Sequence, residues 1–175
     1  MSGASRTGWS KSPRISARCT EAELGGSEAA AAAAVFVVHS LTHAVAALRA
    51  AGEAGCAITI LSAPDAGIYA GPGWFRALAD AARREAPEAK AEFIIDCGDD
   101  AGAAQGAIRA GINAIVFTGP PDVAERLAAI AAAAGSRLLS SRPEEALDLV
   151  RWFFADAETL RRHCAAFLAS PRAIC

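Results

Sequence analysis

The sequence predicts an α/β protein with five consecutive strand-plus-helix units arranged around a parallel sheet. Two observations support this prediction. Short, continuous runs of Val, Ile, Leu and Phe recur along the chain, and each run is followed by a polar or glycine-containing segment and then by an Ala- and Leu-rich stretch of helical length. This alternation is typical of parallel strands joined by right-handed crossovers.

The five predicted strands are continuous apolar runs, as expected for strands that are buried on both faces. They cover residues 35–38, 57–61, 92–96, 113–117 and 137–139. The connection after the second strand, residues 62–73, is the longest in the chain, and long loops in compact domains are often functional.

The predicted helices cover residues 42–54, 74–85, 99–110 and 122–134, and residues 151–168 are also helical in pattern. Ser40 or Thr42 is the expected N-cap of the first helix, and Gly55 lies near its C-terminus. Pro143 is expected in the first turn of a further helix, where its missing amide costs little.

Two closures of such a sheet are compatible with the pattern. One is an open, doubly wound sheet of the flavodoxin-like type, and the other is a partial (β/α) barrel of the TIM type. Five strands are fewer than the eight of a complete barrel, so chain length favours the open sheet. Residues 1–28 lack hydrophobic periodicity and are expected to form a flexible N-terminal arm, followed by a single α/β domain over residues 29–175.

Charge and composition narrow the classes of partner. The 17 basic and 19 acidic residues give a net charge of -2, which provides no electrostatic footprint for nucleic acid or an anionic membrane. No apolar stretch reaches the roughly 18 to 20 residues of a membrane-spanning helix. The five cysteines are widely spaced without a CxxC pair, so we expect reduced thiols and a cytoplasmic location.

Ligands of parallel α/β folds bind beyond the carboxyl ends of the strands, and this rule selects candidate site residues. His39 and Asp96 are the predicted catalytic pair, because a histidine with a carboxylate partner is suited to general base chemistry. The alternative is that both residues have structural roles in capping and loop hydrogen bonds. The predicted substrate-binding residues are Ser40, Ser62, Asp65, Asp99, Thr118 and Gly119.

Asp96, Asp99 and Asp100 form the densest carboxylate cluster of the chain. Hard divalent cations such as magnesium favour oxygen ligands of this kind, whereas helix N-capping explains Asp99 or Asp100 equally well. No cofactor is predicted, and a divalent metal stays open.

Two segments carry a family resemblance. Residues 43–55, 58–61 and 74–79 resemble the opening of 2-keto-3-deoxy-6-phosphogluconate aldolases, and residues 107–117 with Gly119 and Pro120 resemble their third helix and fourth strand. The resemblance implies a (β/α) barrel, a trimer, and aldol chemistry through a Schiff-base lysine and a glutamate. The position of the glutamate is occupied here by the segment 58–60, which has no carboxylate, and the only lysines are Lys11 and Lys90.

The sequence therefore predicts an aldolase-like protein that binds a small oxo-acid, with or without a phosphate group, and leaves lyase activity open. The alternative is a non-catalytic binding or oligomer-forming module. The consecutive aromatic residues Trp152, Phe153 and Phe154 favour a homo-oligomer, because an exposed aromatic group often marks a subunit interface.

Overall fold

The computed structural model of the chain describes residues 33–170, so the predicted arm over residues 1–28 lies outside the described residues. The strands are β1 (Ala34–Val38), β2 (Ile58–Ser62), β3 (Ala91–Asp96), β4 (Ala114–Val116), β5 (Arg137–Leu139) and β6 (Ala146–Asp148). The α-helices are α1 (Leu41–Ala54), α2 (Ala66–Tyr69), α3 (Pro72–Glu85), α4 (Ala101–Arg109), α5 (Pro121–Ala133) and α6 (Ala157–Leu168).

All six strands form one parallel sheet in the order β5-β4-β3-β2-β1-β6. The predicted α/β fold with consecutive βα units and a parallel sheet is confirmed. Strands β1 to β5 follow one another across the sheet, as in a (β/α) barrel, whereas a flavodoxin-like sheet has the order 2-1-3-4-5. The sheet is nevertheless open, because β5 and β6 form its two edges and do not pair with each other.

One face of the sheet carries the main hydrophobic core. Alternate strand residues such as Phe36, Ile60 and Ile95 point to this face and pack against α1, α3, α4, α5 and α6. Helix α6 also closes over β1, where the rings of Phe36 and Phe167 meet edge to face with centroids 5.3 Å apart. Within residues 33–170, no helix combines the length and the hydropathy needed to cross a bilayer.

The opposite face of the sheet, which we call the inner face, has a small core of its own. Within the described residues this core consists of strand residues alone, without a contribution from a helix. Leu139 of edge strand β5 and Ala146 of edge strand β6 both pack against it. The buried members of this core are Val35, Val37, Leu61, Ile94, Ala114 and Val116.

The connection between the two edge strands shows that the sheet is strongly curled. It consists of residues 140–145 only. An extended chain covers about 3.3–3.6 Å per residue, so this connection spans roughly 25 Å at most. A flat sheet of six strands would hold its edges about 24 Å apart, and the chain must also return along the strand direction. This short connection, together with the packing of Leu139 and Ala146 against one core, indicates that the sheet curls toward its inner face.

The C-terminal part of the chain differs from the prediction in two respects. Pro143 does not begin a helix: it precedes β6, a sixth strand that the sequence analysis missed. The C-terminal helix begins at Ala157 and not near residue 151, because a 3-10 turn over Leu149–Trp152 follows β6 directly. The strand β6 is only three residues long, and its pairing with β1 connects residues that are far apart in the sequence.

Candidate functional site at the carboxyl ends of the strands

Asp96 ends β3 and is buried, with both of its carboxylate oxygens engaged. Oδ1 accepts a hydrogen bond of 2.7 Å from the backbone N–H of Gly98. Oδ2 forms an ion pair with the guanidinium of Arg142, which lies in the connection between β5 and β6. A carboxylate that is satisfied at both oxygens is well suited to hold a cation in place.

Ser62, at the end of β2, links this ion pair to the backbone. Its hydroxyl accepts from the backbone N–H of Asp96 at 2.9 Å and donates to the carbonyl of Ala63 at 2.9 Å. Its own carbonyl accepts a bond of 3.1 Å from Nη2 of Arg142. Ser62, Asp96 and Arg142 thus form one connected group, which we call the Arg142 cluster. The side chain of Arg142 remains 27% exposed, so part of its guanidinium faces outward.

His39 follows β1 and pairs with a carboxylate other than the one expected from the sequence. Its Nε2 lies 2.6 Å from Oδ1 of Asp148, the last residue of β6. The same oxygen accepts from the backbone N–H of Val150 at 2.8 Å, which fixes its position. Because Nε2 faces Asp148, Nδ1 is the ring nitrogen that remains to exchange a proton with another group.

The Arg142–Asp96 and His39–Asp148 pairs both lie at the carboxyl ends of the strands, and strand β2 separates His39 from Asp96. Val38 pairs with Ser62, and Leu61 pairs with Ile94, so His39 and Asp96 follow at nearly the same level on β1 and β3. Two strand spacings separate them by about 10 Å. Arg142 reaches over the end of the intervening strand β2, through its bond to the Ser62 carbonyl.

Two of the candidate residues are helix N-caps in this region. Of the two expected N-caps of α1, Ser40 and Thr42, it is Ser40 that caps the helix, and its hydroxyl accepts from the backbone N–H of His43 at 3.3 Å. Asp100 and not Asp99 caps α4, by accepting from the Ala103 N–H at 2.7 Å. Asp99 is exposed.

Asp65, Thr118 and Gly119 lie in the loops around Gly98. Asp65 adopts the left-handed conformation with φ 56°, and its Oδ1 lies close to Gly98, where an added Cβ would be only 2.2 Å from that oxygen. The backbone N–H of Thr118 donates to the Gly98 carbonyl at 2.7 Å, and the Thr118 side chain is exposed. Gly119 packs against the ring of Phe117, which leaves no room for a Cβ. Gly98 is therefore the meeting point of the loops after β2, β3 and β4.

Burial shapes the proton affinities of two groups near the site. Burial lowers the pKa of His43, and the neighbouring His39 lowers it further, while Asp148 and the backbone of Trp152 act in the opposite direction. Burial also raises the pKa of the Cys97 thiol to about 12, with Asp96 and Asp100 adding to the effect. His43 is thus kept neutral and Cys97 is kept as a thiol.

Neither a metal centre nor a deep pocket stands out at this edge. Among the described residues, no three His, Cys, Asp or Glu side chains converge closely enough to hold a metal ion. The clefts that we identified are lined by other parts of the chain, and none of them includes His39, Asp96 or Thr118.

Arg142 and Asp148 are the two residues of this site that the sequence analysis did not single out. Arg142 follows Ser140 and Ser141 at the end of the fifth strand, so the strand-end rule could have included it. Asp148 ends a strand that was not predicted, so no local signal marked it.

Comparison with known proteins gives a resemblance of fold only. No protein-family model and no curated protein matches the chain. The chain is similar to a crystal structure of a protein from Coccidioides immitis, with a TM-score of 0.50 and 21% sequence identity. The name of that structure gives the protein, provisionally, as a fructose-1,6-biphosphate aldolase. The match covers 61% of this chain, which spans only 44% of the length of that protein. This likeness supports an aldolase-like α/β fold.

Proposed function

We propose that the chain binds a small oxo-acid at the carboxyl ends of β1, β2, β3 and β6, with Arg142 as the anion-binding group. The proposal is supported by the position of two polar pairs at the carboxyl ends of the strands. These pairs are Arg142 with Asp96 and His39 with Asp148. A guanidinium has five N–H donors in a planar fork. The contacts to Asp96 and Ser62 use two of them, so donors remain for a carboxylate.

His39 supplies the proton transfer in this proposal. Asp148 orients the imidazole, as the carboxylate partner of a histidine base does in other sites. His39 would take a proton from the carbon next to the oxo group, and Arg142 would balance the negative charge that develops on the enolate oxygen. The protonated His39 would exchange its proton with water, and delivery of a solvent proton to the same carbon would complete the exchange. Asp96 serves as the holder of Arg142 in this scheme.

The Schiff-base route of the 2-keto-3-deoxy-6-phosphogluconate aldolases is not part of the proposal. Lys90, the lysine among the described residues, precedes β3 and lies at the amino end of the sheet. A Schiff base requires an amine at the reacting carbonyl, and Lys90 lies at the opposite end from His39 and Arg142. The aldolase-like fold and the strand-end position support oxo-acid binding without that covalent step.

The test is hydrogen exchange on pyruvate, chosen as the simplest oxo-acid probe, in D2O followed by proton NMR. The protein should accelerate loss of the methyl signal, and His39→Ala should reduce this acceleration by about 100-fold or more. His163→Ala is the matched control, because His163 lies exposed on α6, and it should retain the wild-type rate. No acceleration by the wild-type chain, or an equal loss in both variants, would overturn the proposal.

A second candidate function, a non-catalytic module that forms a homodimer, is favoured by a separate observation. Val150, Phe153 and Phe154 follow β6 and are 49%, 47% and 98% exposed. A twofold interface uses the same patch on both copies, so one apolar patch of this kind suffices for a second copy of the chain.

Light scattering after size exclusion tests the dimer. The wild-type chain should elute as a dimer and Phe154→Ser as a monomer with an unchanged midpoint of unfolding. Ile130→Ser removes a similarly exposed apolar side chain, 46% exposed on α5, and should leave the dimer intact. A monomeric wild-type chain would contradict this candidate.

A further inference from the structure

A second candidate site lies at the opposite end of the sheet, where the structure forms a cleft of about 250 Å³. The cleft lies between α3, the beginning of β3 and the turn that leads from α4 to β4. Its floor is apolar and buried, with Phe75, Phe93 and Ile112 at 0%, 4% and 4% exposure. Two arginines and one asparagine, Arg76, Arg83 and Asn113, supply its polar groups.

The guanidinium of Arg83 lies over the aromatic ring of Phe93. Its central carbon is 4.4 Å from the ring centroid, a distance at which the face of an aromatic ring attracts a cation. Asp80 Oδ1 lies 3.6 Å from Nη1 of Arg83, which is too long for a hydrogen bond. The guanidinium is therefore positioned by stacking, while its N–H donors keep the capacity to bind an acceptor.

Arg76 is held in place by three hydrogen bonds. Its Nε donates to Oδ2 of Asp80 at 2.9 Å, and its Nη1 donates to the carbonyls of Ala110 and Gly111 at 3.1 Å each. Gly111 has a positive φ of 70°, and a Cβ at this position would lie only 3.0 Å from Nη1. The turn after α4 is thus built to receive the guanidinium, which leaves Nη2 free to face a ligand.

We propose that this cleft binds a small oxyanion, with a carboxylate or phosphate group held between Arg76 and Arg83. Arg76 and Arg83 each carry a positive charge, and the neighbouring Asp80 carries a negative one. The three side chains together therefore have one net positive charge. Planar guanidinium groups match the geometry of carboxylate and phosphate oxygens. The Asn113 amide adds a neutral donor, and the apolar floor favours a compact ligand with a flat or short hydrocarbon part.

Titration calorimetry of the full chain with benzoate and with inorganic phosphate tests the proposal and separates its two anion types. Saturable binding of either anion should weaken at least tenfold in Arg83→Gln. Arg83→Lys should bind with intermediate affinity, because it keeps the charge but loses the planar fork. Arg84→Gln is the matched control, since Arg84 is the next residue of α3, is exposed and does not line the cleft.

Added sodium chloride should weaken binding to the wild-type chain, and His39→Ala should leave it unchanged, which distinguishes this cleft from the site at the other end of the sheet. The proposal fails if neither anion binds saturably up to about 10 mM. It also fails if Arg83→Gln and Arg84→Gln bind as the wild type does, because the anion would then bind elsewhere.

Discussion

Arg142 and Asp96 are 46 residues apart in the sequence, yet their ion pair joins the β5–β6 connection to the end of β3. The Asp96 side chain is only 4% exposed and that of Arg142 is 27% exposed. The pair therefore holds a short connection across the mouth of a curled sheet. It ties the connection between the two edge strands to the ends of the interior strands β2 and β3.

Replacing Arg142 by Met should strongly destabilise the chain. A buried carboxylate without its cation costs about 3–5 kcal/mol, and the lower end applies because Arg142 is partly exposed. Urea unfolding followed by circular dichroism measures the effect, and Arg142→Met with Asp96→Asn should recover part of the loss. Arg126→Met is the control, because its pair with Asp122 has both side chains 71% exposed and should contribute less than about 1 kcal/mol.

Gly67→Ala should destabilise the chain through a clash with the end of β3. A Cβ at residue 67 would lie 2.6 Å from Sγ of Cys97 and 3.0 Å from the Asp96 carbonyl. Overpacking of this kind costs about 1–3 kcal/mol, and adding Cys97→Ala should restore part of it, measured as the shift in urea midpoint. Gly52→Ala, with nothing within 4 Å, should instead stabilise α1 by about 0.5–1 kcal/mol.

Cys97 and Cys164 should resist alkylation in the folded protein. Both are buried, and burial raises the pKa of each thiol to about 12. Only about one molecule in ten thousand would carry either thiolate at pH 8, and the thiolate is the reactive form. Peptide mapping after iodoacetamide treatment at pH 8 should find both unmodified without urea and modified in 8 M urea. Rapid labelling of Cys97 in the folded chain would contradict its position in the core.

The stability of the chain should fall as the pH drops below about 6.5, and His43 should contribute to this fall. Burial lowers the pKa of His43 in the folded state, so the unfolded chain binds the proton first as the pH decreases. The unfolded state is then favoured, and the loss continues until the folded pKa is passed. His39 and Asp148 are the titratable groups whose charges act on this ring.

The measurement for His43 is the urea midpoint at pH 5, 6 and 7 for the wild type and His43→Asn. Asparagine preserves an acceptor for the backbone N–H of His39, which bonds to His43 Nδ1 at 3.3 Å. The variant should have the flatter pH profile. Parallel profiles would show that the buried ring does not drive the pH dependence.

The first five strands could be predicted from the sequence because each is a continuous apolar run bounded by helix signals. The N-cap of α1 at Ser40 was also predictable, since a cap depends on residues within one turn. Strand β6 was not, because Pro143 followed by two glutamates is typical of a helix start and the strand has only three residues.

The strand-end rule identified which segments reach the candidate site, but it could not identify the partners within it. His39 and Asp148 are 109 residues apart, and their pairing depends on β6 lying beside β1. No local pattern reports such a neighbour. The assignment of His39 and Asp96 as catalytic residues stays a prediction. The exchange experiment tests the role of His39, whereas the proposed function uses Asp96 to hold Arg142.

The position of β6 beside β1 also has a consequence for synthesis on the ribosome. Among residues 33–170, the first strand to emerge is an interior strand of the finished sheet, and one of its sides stays unpaired until β6 has been translated. A nascent or truncated chain that stops before Ala146 would present the Val- and Phe-rich backbone of β1 as an open edge, which is a template for aggregation. Strand β6 therefore acts as the cover for β1, the earliest strand of the described part of the chain.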